Sequence, residues 1–143
     1  MSTPAEYKHI AEVQTRWSDN DIYGHVNNVT YYSYFDSVMN RYLIDSGALD
    51  IQNGTVVGFV VESNCKFLSP LAYPDQVTAG LRVGKLGNSS VRYELALWDQ
   101  HGKLCAKGFM VHVFVDRQNN RPTPMPAPLR AALQNLMLDS SNA

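Results

Sequence analysis

Between Ala11 and Trp17 apolar and polar positions alternate, with Ala11, Val13, Thr15 and Trp17 on one side and Glu12, Gln14 and Arg16 on the other. That period of two predicts a β-strand over 11–17 with one wet face. The polar segment from Ser18 to Asn27 interrupts it. Beyond Asn28 the period lengthens: Tyr31, Phe35, Val38 and Tyr42 recur at helical spacing, with Tyr34 and Met39 beside them. The pattern predicts one helix from about Asn28 to Ser46, broad in its apolar surface. Asn27 or Asn28 can cap its start, and Gly47 can close its end.

Four extended runs follow: roughly Thr55 to Leu68, Gln76 to Leu86, Ser89 to Trp98 and Leu104 to Val115. In the second, Val77, Ala79, Leu81 and Val83 alternate with Thr78, Gly80 and Arg82. In the third, Val91, Tyr93, Leu95 and Leu97 alternate with Arg92 and Glu94. The linkers LGNSS and DQHG are short and rich in turn residues, so the runs read as an antiparallel meander. The Pro-rich stretch RPTPMPAP then leads into a short helix over 129–137, with Pro128 suited to its first turn. Helix segregated from antiparallel sheet defines an α+β fold. A broad apolar helix needs a sheet curved enough to wrap it, and Gly80, Gly84 and Gly108 inside strands permit bending or bulging. The two remaining sheet edges invite pairing with a second copy, so a homodimer is expected.

The length of 143 residues suits one domain over 1–143 with a core of its own. A net charge of -1 leaves no broad basic face, which excludes nonspecific nucleic-acid binding as a main function. Two cysteines, Cys65 and Cys105, fit a reducing compartment, and the first ten residues carry no apolar signal core. No apolar run is long enough to span a membrane, so the expectation is a cytoplasmic protein without a membrane partner. His9, His25, His101 and His112 show no metal-ligand spacing with the cysteines, no phosphate-binding glycine loop is present, and no G-x-S-x-G elbow occurs.

Candidate chemistry therefore gathers in RWSDNDIYGHVNN, directly before the predicted helix. Asp21 can serve as nucleophile or as base for an attacking water, or simply make an Asx turn before Gly24. Asp19 suits backbone hydrogen bonds within the loop. His25 can polarise a carbonyl, orient Asp21 or a water, or hold the loop. Asn27 and Asn28 read first as helix caps, yet the free N–H groups of a helix start also favour a developing oxyanion.

The spacing D-x-D-x-x-G-H-V-N-N-x-x-Y, from Asp19 through Asp21, Gly24, His25, Val26, Asn27 and Asn28 to Tyr31, resembles the signature of hotdog-fold thioesterases of the 4-hydroxybenzoyl-CoA thioesterase type. The similarity continues through Phe67, Pro70, Asp75, the Leu86 to Ser90 hairpin, Gly108, Val111 and the Arg121 to Pro126 exit. The resemblance implies a sheet wrapped around one long central helix, dimers with sheets side by side that often assemble into a homotetramer, and a site at the dimer interface that hydrolyses acyl-CoA or related thioesters. It makes Asp21 the catalytic carboxylate and puts the backbone N–H of Asn28 on the thioester oxygen. It also places Val57 and Gly58 about where a partner subunit supplies a backbone donor. Tyr31 and Tyr32 are candidates for the acyl pocket as well as for the core. Lys85, Ser89, Ser90 and Arg92 are candidates for pantetheine or the CoA phosphates.

The leading expectation is thus an acyl-CoA thioesterase needing no metal or redox cofactor. Two alternatives stand beside it. One is hydrolysis of acyl groups from an acyl-carrier protein, which would dock on Lys66, Arg82, Lys85 and Arg92. The other is a noncatalytic protein that binds CoA esters.

Overall fold

The computed structural model describes residues 2–48, 50 and 54–137. Its strands are β1 (His9–Gln14), β2 (Val56–Phe67), β3 (Gln76–Leu86), β4 (Ser90–Trp98) and β5 (Leu104–Asp116); its helices are α1 (Asn28–Asp45) and α2 (Ala127–Gln134). All five strands join one antiparallel sheet in the order β1-β3-β4-β5-β2. The sheet wraps the long helix in a hotdog arrangement, as the motif implied.

The helical period did its work locally. Tyr31, Tyr34, Phe35, Val38, Met39 and Leu43 are buried on α1 and meet Val77, Ala79, Leu81, Tyr93, Leu95 and Leu97 from the sheet. Burying six large side chains, each at roughly 1.5–3 kcal/mol, binds the helix to the sheet far more strongly than propensity does. Asn27 is the N-cap, its side chain accepting from the Val29 N–H at 3.0 Å. At the other end Gly47 takes φ +71°, the left-handed conformation that lets the chain leave the helix.

Three expectations need correcting. The first strand ends at Gln14 instead of continuing to Trp17. Thr15 turns away to donate to the Asp75 carbonyl at 2.5 Å, a 3-10 turn over Trp17–Asp19 follows, and Trp17 is 76% exposed. The four later strands do not form a simple meander. Only β3, β4 and β5 run in sequence, while β2 crosses to the far edge and pairs with β5. Alternation cannot report this, because it reads a face and not a neighbour. The last helix lies over Ala127–Gln134, earlier than 129–137, with Pro128 in its first turn as expected.

Glycine acts at two levels. Gly84 sits where the β3–β4 register shifts between Val83 and Lys85, the bulge that curvature demanded. Gly80 serves packing instead: a Cβ there would stand 2.7 Å from the Tyr7 ring and 2.9 Å from Trp98. Tyr7, Ala96 and Trp98 form a small second cluster on the outer face of the sheet, away from α1.

Candidate active site

The loop between β1 and α1 is built by its own backbone. Asp21 N–H donates to the His25 carbonyl at 2.9 Å and Gly24 N–H to the Asp21 carbonyl at 3.0 Å, with Gly24 at φ +81°. One Asp21 carboxylate oxygen accepts from the Tyr23 N–H at 2.9 Å, so the Asx turn is real. The other oxygen has no protein donor among the described residues. Besides the Thr15 bonds to Asp75, the loop is held against the segment after β2 by Val26 N–H donating to the Leu71 carbonyl at 2.7 Å and by Tyr73 N–H donating to the Asn20 side chain at 3.0 Å.

Beneath the loop lies a buried carboxylate. Asp19 is 3% exposed and accepts from the Tyr34 hydroxyl at 2.7 Å and the Arg16 N–H at 2.8 Å. Its carbonyl accepts from Asn27 N–H at 2.9 Å. Burial works to raise the Asp19 pKa, but the Tyr34 and Arg16 hydrogen bonds and the Arg16 charge outweigh it, and the carboxyl titrates below its ordinary range. Burial first, and the Asp19 bond second, push the Tyr34 phenol far upward. Asp19 is a structural anchor joining the loop to α1.

Above it opens a cleft of about 680 Å³, lined by Asp21, Tyr23, His25, Asn27, Asn28 and Tyr31 on one side and by 67–70 on the other. Asn28 is the first helical residue. With Asn27 capping Val29 and the Thr30 N–H bonded to the Asn27 carbonyl at 2.9 Å, the Asn28 N–H is left without an acceptor among the described residues. A free N–H at the positive end of an 18-residue helix is an anion-binding feature. His25 is exposed at the rim, and its ring makes no hydrogen bond among the described residues. Tyr31 serves both core and cleft: its ring is 2% exposed and packs edge-on to Phe67 at 5.0 Å, and its hydroxyl accepts from Leu71 N–H at 3.2 Å. Tyr32 packs against Phe35 and does not line the cleft.

The opposite wall, Phe67, Leu68, Ser69 and Pro70, was not among the site residues read from the sequence. Phe67 and Pro70 stood in the motif resemblance without a role, and Leu68 and Ser69 only closed an apolar run. A second hollow of about 580 Å³ lies on the far side of the Asp21 loop, between Trp17, Ser18, Asn20, Ile22 and Gly24.

The remaining candidates stand elsewhere in the chain. Val57 and Gly58 are half-buried at the other end of β2, ten residues before Phe67 in the case of Val57, or roughly 33 Å at strand rise. Ser89 and Ser90 occupy the β3–β4 hairpin at that same far end, where Ser90 pairs with Val113 and the Ser89 carbonyl accepts from Phe114 N–H at 2.7 Å. Lys85 is exposed beside Arg92, its register partner. Within the chain, then, Asp21, His25, Asn28 and Tyr31 come together, and Val57, Gly58, Lys85, Ser89 and Ser90 stand apart from them. No helix among the described residues is long and apolar enough to cross a membrane.

The family model described as the thioesterase-like superfamily matches residues 15–133. Among solved structures, the chain is similar to the PA5185 protein of Pseudomonas aeruginosa strain PAO1, at 53% identity and TM-score 0.91, covering 94% of each chain. It is similar to the PA2801 protein of Pseudomonas aeruginosa at 32% identity and TM-score 0.82, covering 88% of this chain and 98% of the other. A DHNA-CoA thioesterase from Staphylococcus aureus shares the fold at 19% identity and TM-score 0.75, covering 80% of this chain and 78% of that one.

Proposed function

This chain belongs to the thioesterase-like superfamily, and from that premise we propose that it hydrolyses acyl-CoA thioesters to a carboxylic acid and free CoA. The observation that carries this reading is the pairing, on one cleft wall, of an Asp21 carboxylate oxygen and an Asn28 N–H that both lack protein partners among the described residues.

The thioester carbonyl carbon is the electrophile. In one route the free Asp21 oxygen adds to it; in the other Asp21 takes a proton from water, and the hydroxide adds. Either addition moves an electron pair onto the carbonyl oxygen, where the Asn28 N–H and the helix dipole stabilise it. Collapse expels the CoA thiolate, which takes up a proton. In the first route water then hydrolyses the mixed anhydride on Asp21; in the second the acid forms directly. His25 stands at the rim, where it can orient the carbonyl or the water, and Tyr31 with Phe67 offers the acyl group an apolar wall.

The reading includes a shared site. β2 is an edge strand of 12 residues that exposes Phe59, Val60 and Val61 at 46%, 47% and 60%. An open apolar edge of this length favours strand pairing with a second copy. A two-fold axis near Glu62 would set Val57 of the partner subunit opposite Phe67, since 57 and 67 lie equally far from 62. That pairing carries the group holding Val57, Gly58, Lys85, Ser89 and Ser90 to the cleft of the neighbour. It reunites the two halves of the site, with backbone donors from β2 and pantetheine contacts from the hairpin.

The test is a panel of acyl-CoA esters, plus the same acyl groups on an acyl-carrier protein, with released thiol as readout. Turnover of CoA esters supports the reading. Turnover of carrier-protein esters alone would favour the alternative substrate. Binding of CoA esters with no thiol release at all would make the protein a noncatalytic binder.

A further inference from the structure

The β3–β4 hairpin is polarised. Its carbonyls from Gly87 to Ser90 are all engaged by the protein. The Gly87 carbonyl accepts from Arg130 Nη2 at 2.6 Å. The Asn88 carbonyl accepts from the same nitrogen at 3.2 Å and from the Met125 N–H at 3.2 Å. The Ser89 carbonyl accepts from the Phe114 N–H at 2.7 Å, and that of Ser90 from the Gly87 N–H at 2.8 Å. The N–H groups of Asn88 and Ser89, by contrast, have no acceptor among the described residues.

A trans peptide unit holds its C=O and its N–H on opposite sides. The Gly87 carbonyl shares a unit with the Asn88 N–H, and the Asn88 carbonyl shares the next unit with the Ser89 N–H. Both carbonyls converge on one nitrogen of Arg130, so both N–H groups point away from it. Two successive N–H groups turned to one side make a receptor for an oxygen acceptor. The two units differ in support. The unit between Asn88 and Ser89 is also held by the Met125 N–H, whereas the carbonyl between Gly87 and Asn88 has Arg130 alone among the described residues. Gly87 has no side chain to resist rotation of that unit, and a Cβ there would stand 2.6 Å from Ser90 Oγ. Without Arg130 the unit is free to turn over, which replaces a presented donor by a presented acceptor.

Arg130 is not what docks its own helix. Leu129 and Leu133 of α2 are buried in the core. The Tyr42 hydroxyl donates to the Ala132 carbonyl at 2.7 Å, and the Val83 N–H donates to the Leu136 carbonyl at 3.0 Å. Arg130 itself is half-buried and in no ion pair among the described residues. Its charge is spent on two neutral carbonyls of the hairpin, a use that fits control of the turn better than attachment of the helix.

We propose that Arg130 is a positioning residue for substrate binding: it sets the hairpin so that the Asn88 and Ser89 N–H groups receive amide carbonyl oxygens of the pantetheine arm in the neighbour's cleft. The proposal rests on the shared-site reading, in which the hairpin meets that arm, but its test does not depend on turnover alone. In NMR spectra, pantetheine should shift the Asn88 and Ser89 amide resonances of the wild type. Arg130→Met, which keeps an unbranched stem and removes the donors, should lose those shifts and bind pantetheine about tenfold more weakly. In turnover, the acyl-pantetheine ester is compared with the same acyl group on ethanethiol, which has no amide. The ratio of their kcat/KM values should fall about tenfold in R130M. A wild type without shifts at Asn88 and Ser89 overturns the proposal. So does a folded variant in which either the binding or the ratio is unchanged, since equal loss with both esters marks a residue that only supports the fold. Arg130→Gln, shorter and uncharged, takes the place of R130M in both measurements if R130M does not fold. If the wild type hydrolyses neither ester the thioesterase reading falls, and the pantetheine shifts in wild type and variant still decide the role of Arg130.

Discussion

The Tyr34 hydroxyl donates to the buried Asp19 carboxylate at 2.7 Å, and this bond ties the loop carrying Asp21 to the second turn of α1. Tyr34→Phe keeps the ring packing and removes the bond, leaving a buried charge short of one donor. Its cost should be about 1.5–3 kcal/mol, read as a lower urea midpoint at neutral pH. Because the Asp19 pKa is depressed in the fold, the stability it contributes is present above its unfolded pKa and disappears as pH falls through the folded value. Tyr34→Phe should therefore also lessen the loss of stability on acidification.

Asp21→Asn preserves the turn oxygen that accepts from Tyr23 and removes anionic nucleophilicity and basicity. Turnover should fall on the order of 10²-fold or more with little change in melting temperature. Near-normal turnover in the folded variant would take Asp21 out of the chemistry.

At the helix start the two asparagines separate. Asn27 is the cap, so Asn27→Ala should cost about 1 kcal/mol of stability. Asn28→Ala leaves the backbone N–H in place and should change stability and turnover little. This differs from the sequence reading, in which either residue could cap. If His25 polarises the carbonyl, His25→Ala should cost about 10²–10³-fold in turnover; a positioning role should cost much less. Loss of turnover in folded Asn28→Ala would make that side chain chemical.

Assembly through β2 predicts a dimer or larger species by light scattering at assay concentration. Val61→Lys puts a charge on the exposed edge and should shift the protein toward monomer, with turnover falling in parallel. An active monomer would contradict the shared site.

His112 is 5% exposed, and burial lowers its pKa against the opposing pull of Asp36. His9 is lowered in the same way, with Asp45 opposing. Below an unfolded pKa of about 6.5 the unfolded chain takes up protons that the native state resists, so stability should drop as pH falls through that region. Urea midpoints at about pH 7.5 and about pH 5.5 should differ less in His112→Phe than in the wild type.

Local structure was legible in the sequence by itself. The helical spacing of Tyr31, Phe35 and Val38 marked α1, and Asp21 before Gly24 offered the Asx turn that the structure shows, because both depend on contacts within a few residues. The strands could be found, and three of them ordered, because short turns force neighbours to pair. What only the tertiary structure decided depends on pairing between distant segments. The register of β2 against β5 made β2 an edge and brought Lys107 beside Lys66. The tie between Val26 and Leu71 set 67–70 as the second wall of the cleft. The turn of Thr15 toward Asp75 ended β1 early and left Trp17 in solvent. A period of two tells which face a residue takes; sheet order, register and the far wall of a cleft follow from the free energy of burying the whole chain at once.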